Sequence, residues 1–185
     1  MGEIILVTGG ARSGKSTYAE ERAKKYGSKI LYVATSLPLD EEMRQRIAKH
    51  REQRPEEWET IEAYSCLDSV IKCSLAGKNA VMLDCITIMI TNLMFDKCSD
   101  WENISSDEIS AVEEYVKTEM DKLVCTARQA EIPFILVTNE LGMGVVPEYA
   151  SARIFRDIAG RMNQYLAKEA TEVYLCVSGI PVRIK

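Results

Sequence analysis

Residues 9–16 constrain the fold of this chain more than any other part of its sequence. They fit the pattern Gly-x-x-x-x-Gly-Lys-Ser, directly after the apolar residues 4–8 and before a segment of helical periodicity. Glycines let the backbone turn back on itself, so that successive N–H groups and the start of the helix point at phosphate oxygens. The pattern therefore predicts a phosphate-binding loop between a buried strand and a helix that begins at Lys15.

The residues of this loop have separate chemical roles in the prediction. The positions expected to bind a nucleoside triphosphate are Gly9, Gly10, Ala11, Arg12, Ser13, Gly14, Lys15 and Ser16. We expect Lys15 to reach the β- and γ-phosphates as a catalytic residue, and the Ser16 hydroxyl to bind Mg²⁺. The alternative is a chance glycine turn before an amphipathic helix. It is disfavoured because the preceding strand and the complete Gly-Lys-Ser ending are both present.

Apolar runs and helical stretches alternate along the chain. Short runs rich in β-branched residues predict strands over residues 4–8, 30–34, 80–83, 134–138 and 173–177. Apolar residues three and four positions apart predict helices over residues 16–26, 41–54, 109–130 and 152–170. This alternation predicts an α/β fold with a doubly wound, mostly parallel sheet flanked by helices. With neither linker nor repeat, one catalytic domain over residues 1–185 is expected.

Composition and charge limit the partners and the location of the protein. A net charge of −5 leaves no excess of basic surface for a nucleic-acid backbone, so nucleic acid is not an expected partner. The chain start lacks the features of a signal peptide, and no apolar run approaches the length of a membrane span, so we expect a soluble cytoplasmic protein. Six cysteines without a Cys-x-x-Cys pair and a single histidine predict reduced, mostly buried thiols rather than a zinc site.

A second candidate residue for phosphate chemistry is Asp84. It ends the apolar run 80–83, an arrangement by which phosphate-loop proteins hold Mg²⁺ directly or through water. The alternative is an aspartate that only ends a strand or caps a helix after Cys85. The phosphate-binding loop favours the metal-binding interpretation.

A cationic stripe surrounds the single histidine. Arg46, His50 and Arg54 are four residues apart and share one face of the predicted helix 41–54. An unprotonated imidazole is a competent nucleophile towards phosphorus, and guanidinium groups stabilise charge on phosphoryl oxygens. Local sequence alone, however, favours a solvated basic helix face.

Residues 137–147 begin with the last two residues of the fourth predicted strand, 134–138, and contain two glycines and a proline. Ligands of open α/β sheets bind at the carboxyl ends of the strands, so this loop is a candidate for a binding site. An ordinary connection between a strand and a helix remains the alternative. The aromatic residues expected to pack rather than to bind ligands are Tyr32, Trp58, Trp101 and Tyr149.

Taken together, these segments resemble the bifunctional adenosylcobinamide kinase/adenosylcobinamide-phosphate guanylyltransferase family of cobalamin biosynthesis. The resemblance covers nearly the whole chain. Its segments are 7–16, 32–36, His50 with Arg54, Pro55 and Trp58, 83–87, 91–93, 137–147 and 152–164. A generic phosphate-loop kinase would not be expected to share all of them. The resemblance also implies a RecA-like sheet and a homotrimer.

The resemblance implies two reactions with ATP and GTP as substrates and Mg²⁺ as cofactor. The first phosphorylates the aminopropanol hydroxyl of adenosylcobinamide from ATP or GTP. The second transfers GMP from GTP to that phosphate, through a guanylylated histidine that falls on His50, and yields adenosylcobinamide-GDP. Beyond the phosphate loop, the family's GTP contacts fall on Ala34, Thr35, Ser36, Arg51, Glu52, Gln53, Arg54, Glu62 and Asp84.

Two other classes of protein contain such a loop. A simple kinase of another small metabolite would use the loop and Asp84 but would leave His50 without a role. A nucleotide switch that binds partners should carry an Asn-Lys-x-Asp motif for base recognition, and the sequence has none. The bifunctional enzyme is therefore the favoured interpretation.

Overall fold

The computed structural model describes residues 2–37, 41, 44–45, 55 and 57–185. Within these residues the strands are β1 (Ile4–Gly9), β2 (Ile30–Ala34), β3 (Glu59–Glu62), β4 (Ala80–Asp84), β5 (Phe134–Asn139), β6 (Glu172–Val177) and β7 (Ile180–Arg183). The helices are α1 (Lys15–Lys24), α2 (Leu67–Ser74), α3 (Ile86–Lys97), α4 (Ser106–Gln129) and α5 (Ala150–Glu169). The predicted helix 41–54 lies largely outside the described residues.

The described strands form one sheet in the order β3-β2-β4-β5-β1-β6-β7. Every neighbouring pair is parallel except β6 and β7, which are antiparallel. Parallel strands covered on both faces become continuous apolar runs, which is why all five strands predicted from such runs are present. The mostly parallel α/β sheet predicted from the sequence is confirmed.

Two apolar clusters cover the two faces of the sheet. Ile5 and Val7 of β1 join the cluster that includes Ala19 and Ala23 of α1. The alternate side chains of β1 join the larger cluster, which contains the buried residues of the other four described helices. Because successive side chains of a strand point to opposite faces, α1 covers one face and α2 to α5 cover the other. The carboxyl ends of the parallel strands meet at one edge of the sheet, between these layers.

Helix α4 begins three residues before the predicted start at residue 109. The Ser105 hydroxyl accepts a hydrogen bond from the Glu108 N–H, and the Glu108 carboxylate accepts one from the Ser105 N–H. This reciprocal pairing satisfies two N–H groups at the helix start. The apolar periodicity of the sequence begins only where the helix meets the core. A prediction from that periodicity therefore leaves out the first turn, which is polar and carries the cap.

Four elements were absent from the sequence prediction. Strand β3 is a largely polar edge strand, and β7 is a four-residue strand whose side chains are all exposed. Helix α2 has only eight residues. Most of α3 is buried, so it lacks the polar face by which an amphipathic helix is detected.

Two expectations from composition can be compared with the structure. The cysteines are all free, but the prediction that most are buried is wrong, because only Cys85 and Cys176 are buried. Cys66, at the cap position before α2, is exposed, and Cys73 and Cys125 lie on solvent-exposed positions of helices. In the described part of the chain, no helix is both long enough and apolar enough to cross a membrane.

Candidate active site

The phosphate loop turns from β1 directly into α1, which begins at Lys15 as predicted. Gly14 stands at the cap position with φ of 87°, a left-handed conformation that glycine adopts without strain. Because glycine has no side chain to cap the helix, the N–H groups of the first turn point out of the helix start uncapped. Such a helix start favours an anion through its N–H groups and its dipole.

Two glycines of the loop lie too close to neighbouring backbone to carry a side chain. A Cβ on Gly9 would lie 2.6 Å from the Cys176 carbonyl oxygen, and one on Gly14 would lie 2.9 Å from Gly179 Cα. A Cβ on Gly10 would meet no atom of the described residues within 4 Å. The loop therefore packs against the end of β6 and the following turn through Gly9 and Gly14, but not through Gly10.

Hydrogen bonds hold the loop from both sides. The Glu140 N–H donates to the Gly9 carbonyl at 3.0 Å, and the Gly179 N–H donates to the Ser13 carbonyl at 2.9 Å. These donors follow β5 and β6, the two neighbours of β1 in the sheet. These backbone hydrogen bonds hold the loop in position without any contact from a ligand.

The loop also presents cationic and hydroxyl groups. Lys15 Nζ donates to the Gly10 carbonyl at 3.2 Å, so the ammonium lies over the loop. Among the atoms that the structure describes, the buried Ser13 hydroxyl has no hydrogen-bond partner. Backbone N–H groups, an ammonium and a free hydroxyl together form a donor set suited to phosphate oxygens.

Asp84 ends β4 at the same edge of the sheet. Its side chain is half-buried, and the Tyr32 hydroxyl donates to Asp84 Oδ2 at 3.2 Å. Strand β5 lies between β4 and β1, so the strands that end in Asp84 and Gly9 are two spacings apart, about 10 Å. The carboxylate thus faces the edge that also carries the phosphate loop.

The residues at this edge fit a magnesium ion shared with phosphates. Ser16, in the first turn of α1, offers a half-buried hydroxyl, and Asp84 offers a carboxylate. Mg²⁺ takes oxygen ligands and is usually bound by one or two carboxylates together with waters and substrate phosphates. No group of three or more His, Cys, Asp or Glu side chains suited to a metal occurs in the described ranges.

Thr35 holds the backbone next to Asp84 through hydrogen bonds to Cys85. The Thr35 side chain is buried, and its hydroxyl accepts from the Cys85 N–H at 2.9 Å and donates to the Cys85 carbonyl at 2.8 Å. The Asn92 amide of α3 donates to the Thr35 carbonyl at 2.8 Å. The Thr35 side chain, expected to contact nucleotide, is therefore bonded to the segment that carries Asp84.

A second hydrogen-bonded group continues towards α5. The Asn139 amide at the end of β5 donates to the Thr87 hydroxyl at 2.6 Å. The Thr138 hydroxyl donates to Asn163 Oδ1 at 2.7 Å, and the Asn163 amide donates to the Asn139 carbonyl at 3.0 Å. The sequence analysis placed Thr138 and Asn139 in a candidate binding loop but gave neither residue an individual role, although a polar pair at the end of a buried apolar strand marks this edge.

Burial, and secondarily the charge of Asp84, raise the pKa of the Cys85 thiol to about 11. The thiol lies 3.1 Å from the Thr87 hydroxyl oxygen, and this contact opposes the shift. Cys85 therefore stays protonated at neutral pH and is an unreactive packing residue.

The other predicted contacts divide into two groups. Ala34, Ser36 and Glu62 lie at the carboxyl ends of β2 and β3, where Ala34 pairs in register with both Glu62 and Asp84. These residues share the edge of the phosphate loop. The remaining predicted residues lie outside the described part of the chain: His50, Arg51, Glu52, Gln53 and Arg54, with Arg46 of the cationic stripe.

The four aromatic residues expected to pack do not all behave alike. Trp58 and Trp101 are buried, and the Trp58 ring lies 6.2 Å from the Tyr32 ring. Tyr32 packs but also contacts Asp84. Tyr149 is 70% exposed, so the prediction that it packs is wrong.

Comparison with known proteins gives a consistent result over nearly the whole chain. Residues 5–184 match the family described as cobinamide kinase / cobinamide phosphate guanyltransferase. The chain is 48% identical over 182 residues to the bifunctional adenosylcobalamin biosynthesis protein CobU of Escherichia coli, covering 98% of this chain and 99% of that protein. Its identity to the protein of the same name from Salmonella typhimurium is 47%, with the same coverage. Against the bifunctional adenosylcobalamin biosynthesis protein CobP of Pseudomonas aeruginosa the identity is 35%, covering 97% of this chain and 96% of that protein.

Proposed function

Because the chain belongs to the cobinamide kinase / cobinamide phosphate guanyltransferase family, we propose that its one phosphate loop serves both reactions in turn. The chain is a bifunctional enzyme of adenosylcobalamin biosynthesis. It phosphorylates adenosylcobinamide and then transfers a guanylyl group to the product. The observation that carries the proposal is the rigidly held loop of residues 9–16 at the same sheet edge as Asp84.

In the kinase step, the loop holds the triphosphate and exposes its terminal phosphorus. The N–H groups of the loop bind the phosphate oxygens, and the Lys15 ammonium offsets the charge that develops on them. Ser16 and Asp84 would hold Mg²⁺, which supplies further positive charge to these oxygens. The aminopropanol hydroxyl attacks the γ-phosphorus and loses its proton, and the nucleoside diphosphate leaves.

In the guanylyl step, His50 is the proposed nucleophile. Its neutral imidazole attacks the α-phosphorus of GTP, a P–N bond forms and pyrophosphate leaves. The phosphate of adenosylcobinamide phosphate then attacks the same phosphorus, the P–N bond breaks and adenosylcobinamide-GDP is released. His50 is supported by its chemistry and by being the single histidine of the chain.

The proposal also includes further nucleotide contacts and a homotrimeric assembly. We assign nucleotide contacts to Ala34, Ser36 and Glu62 because they lie at the edge from which the segment with His50 departs. Residues 51–54 directly follow His50 and are assigned to the same nucleotide. A homotrimer, as the family resemblance implies, should give a light-scattering mass three times that of the 20.8 kDa chain.

Labelling with α-³²P-GTP and Mg²⁺ in the absence of corrinoid tests the covalent step. We expect an acid-labile, base-stable label on the wild-type protein and none from γ-³²P-GTP. His50→Ala should lose the label and the guanylyl transfer but keep phosphorylation of adenosylcobinamide, whereas Lys15→Ala should lose both reactions. Label that persists in His50→Ala would refute the assignment of the nucleophile. Phosphorylation without any α-label would instead favour a simple kinase.

A further inference from the structure

Between β5 and α5, the chain exposes large apolar side chains in a segment whose first residue, Glu140, bonds to the phosphate loop. We call residues 140–149 the apolar loop. Met143 is 81% exposed, Val145 93%, Val146 66% and Tyr149 70%. Single exposed apolar residues are ordinary, but four within seven positions form the kind of cluster that marks a binding surface.

Hydrogen bonds from α5 hold the backbone of the apolar loop. Arg153 Nη1 donates to the Pro147 carbonyl at 3.2 Å and also bonds to the Glu148 carbonyl. Arg156 Nη1 donates to the Val145 carbonyl at 3.4 Å. The two guanidinium groups thus bind the carbonyls of the loop while its apolar side chains face solvent. A surface supported in this way loses little conformational entropy when a ligand covers it.

The apolar loop starts next to the phosphate site. Asn139 at the end of β5 is in register with Gly9 of β1, and the Glu140 N–H donates to the Gly9 carbonyl at 3.0 Å. An acceptor whose hydroxyl attacks a phosphate held by residues 9–16 must therefore come close to this loop.

We infer that the apolar loop binds the corrin ring of the acceptor, an inference that rests on the proposed function. A corrin is a broad, mostly apolar macrocycle with amide groups at its rim and the aminopropanol on one of its arms. The apolar side chains of the loop suit the ring, which leaves the arm to reach the phosphate site. The triphosphate is an unsuitable occupant because it needs N–H groups and cations, and both arginines already bind loop carbonyls. A second copy seated here would cover the approach to the phosphates.

Exposed side chains of the loop can be changed without disturbing the core. The double variant Val145→Thr/Val146→Thr keeps side-chain shape but adds hydroxyls, and Met143→Gln changes polarity at similar length. We expect each variant to raise the KM for adenosylcobinamide by about tenfold, equivalent to about 1.4 kcal/mol. Labelling by α-³²P-GTP without corrinoid should match that of the wild type.

The matched control is Ile184→Thr. Ile184 is 60% exposed, and its N–H bonds to the carbonyl of Val173 at the amino end of β6, away from the phosphate loop. We expect its KM for adenosylcobinamide to equal that of the wild type.

Three results would count against the inference or against its premise. An unchanged KM in both loop variants would overturn it. A fall in oligomeric mass that accompanies the raised KM would overturn it in favour of a contact between copies. Absence of α-label on the wild-type protein would refute the His50 step alone, because the kinase reaction would still report the KM of the loop variants.

Discussion

Replacing Gly9 with alanine tests whether the phosphate loop depends on the close contact between β1 and β6. The new Cβ would lie 2.5 Å from the Ser13 hydroxyl oxygen and 2.6 Å from the Cys176 carbonyl oxygen. Cβ atoms essentially never lie closer than 3.0 Å, so the backbone at Cys176 must move by at least 3.0 − 2.6 = 0.4 Å. Overpacking of this kind costs about 1–3 kcal/mol, and we expect Gly9→Ala to lower the free energy of unfolding by about 2 kcal/mol.

Urea unfolding followed by circular dichroism measures this change, and Gly10→Ala is the control within the same loop. A Cβ on Gly10 would meet no described atom within 4 Å, so the free energy of unfolding of Gly10→Ala should change by less than about 0.5 kcal/mol. The two variants are compared for stability alone, since Gly10 belongs to the proposed phosphate site. Equal urea midpoints for the two variants would show that the contact with Cys176 does not constrain the loop.

Two further predictions concern the buried groups behind Asp84. Thr35→Val leaves the Cys85 N–H without its acceptor, whereas the Cys85 carbonyl still accepts from the Met89 N–H, so the change should cost about 1–3 kcal/mol in urea unfolding. Thr118→Val, which removes an exposed hydroxyl bonded to the Glu114 carbonyl, should cost much less; similar losses would contradict the role of Thr35. Burial raises the pKa of Cys85 from 9.0 to about 11, so stability contributed by its neutral thiol should be complete below pH 9 and lost as pH rises towards 11. Urea midpoints of wild type and Cys85→Ala across this range should converge as pH rises, and parallel curves would refute the shift.

The sequence predicts the central strands because burial on both faces leaves an unambiguous apolar run. Strands β1 and β5 pair along their full length, and each is apolar up to its polar end. Edge strands lack this signal. Strand β3, with the sequence Glu-Thr-Ile-Glu, is held by its parallel pairing with β2 rather than by burial, so no local pattern identifies it.

The phosphate loop is predictable for a different reason: the residues that identify it are eight consecutive positions, although the hydrogen bonds that hold it come from Glu140 and Gly179. The hydrogen bonds that hold the segment of Asp84, by contrast, join residues far apart in the sequence. Thr35 is separated by 50 positions from Cys85 and by 57 from Asn92, and only the sheet order brings them together. Residue types at such separations carry no pairing signal in one sequence, so the sequence indicates Asp84 but not the hydrogen bonds that orient its segment.

One phosphate site can serve two acceptors when they approach it from different directions. The segment that carries His50 leaves the sheet edge after β2, and the apolar loop leaves it after β5, on the other side of Asp84. His50 follows Leu37 by 50 − 37 = 13 residues, and even a helix of that length spans about 20 Å. Strands β2 and β1 are three spacings apart, about 14 Å, so the segment is long enough to reach a nucleotide held by residues 9–16. Under the proposed function, His50 would therefore reach the phosphates from the β2 side of Asp84, and the corrinoid from the β5 side.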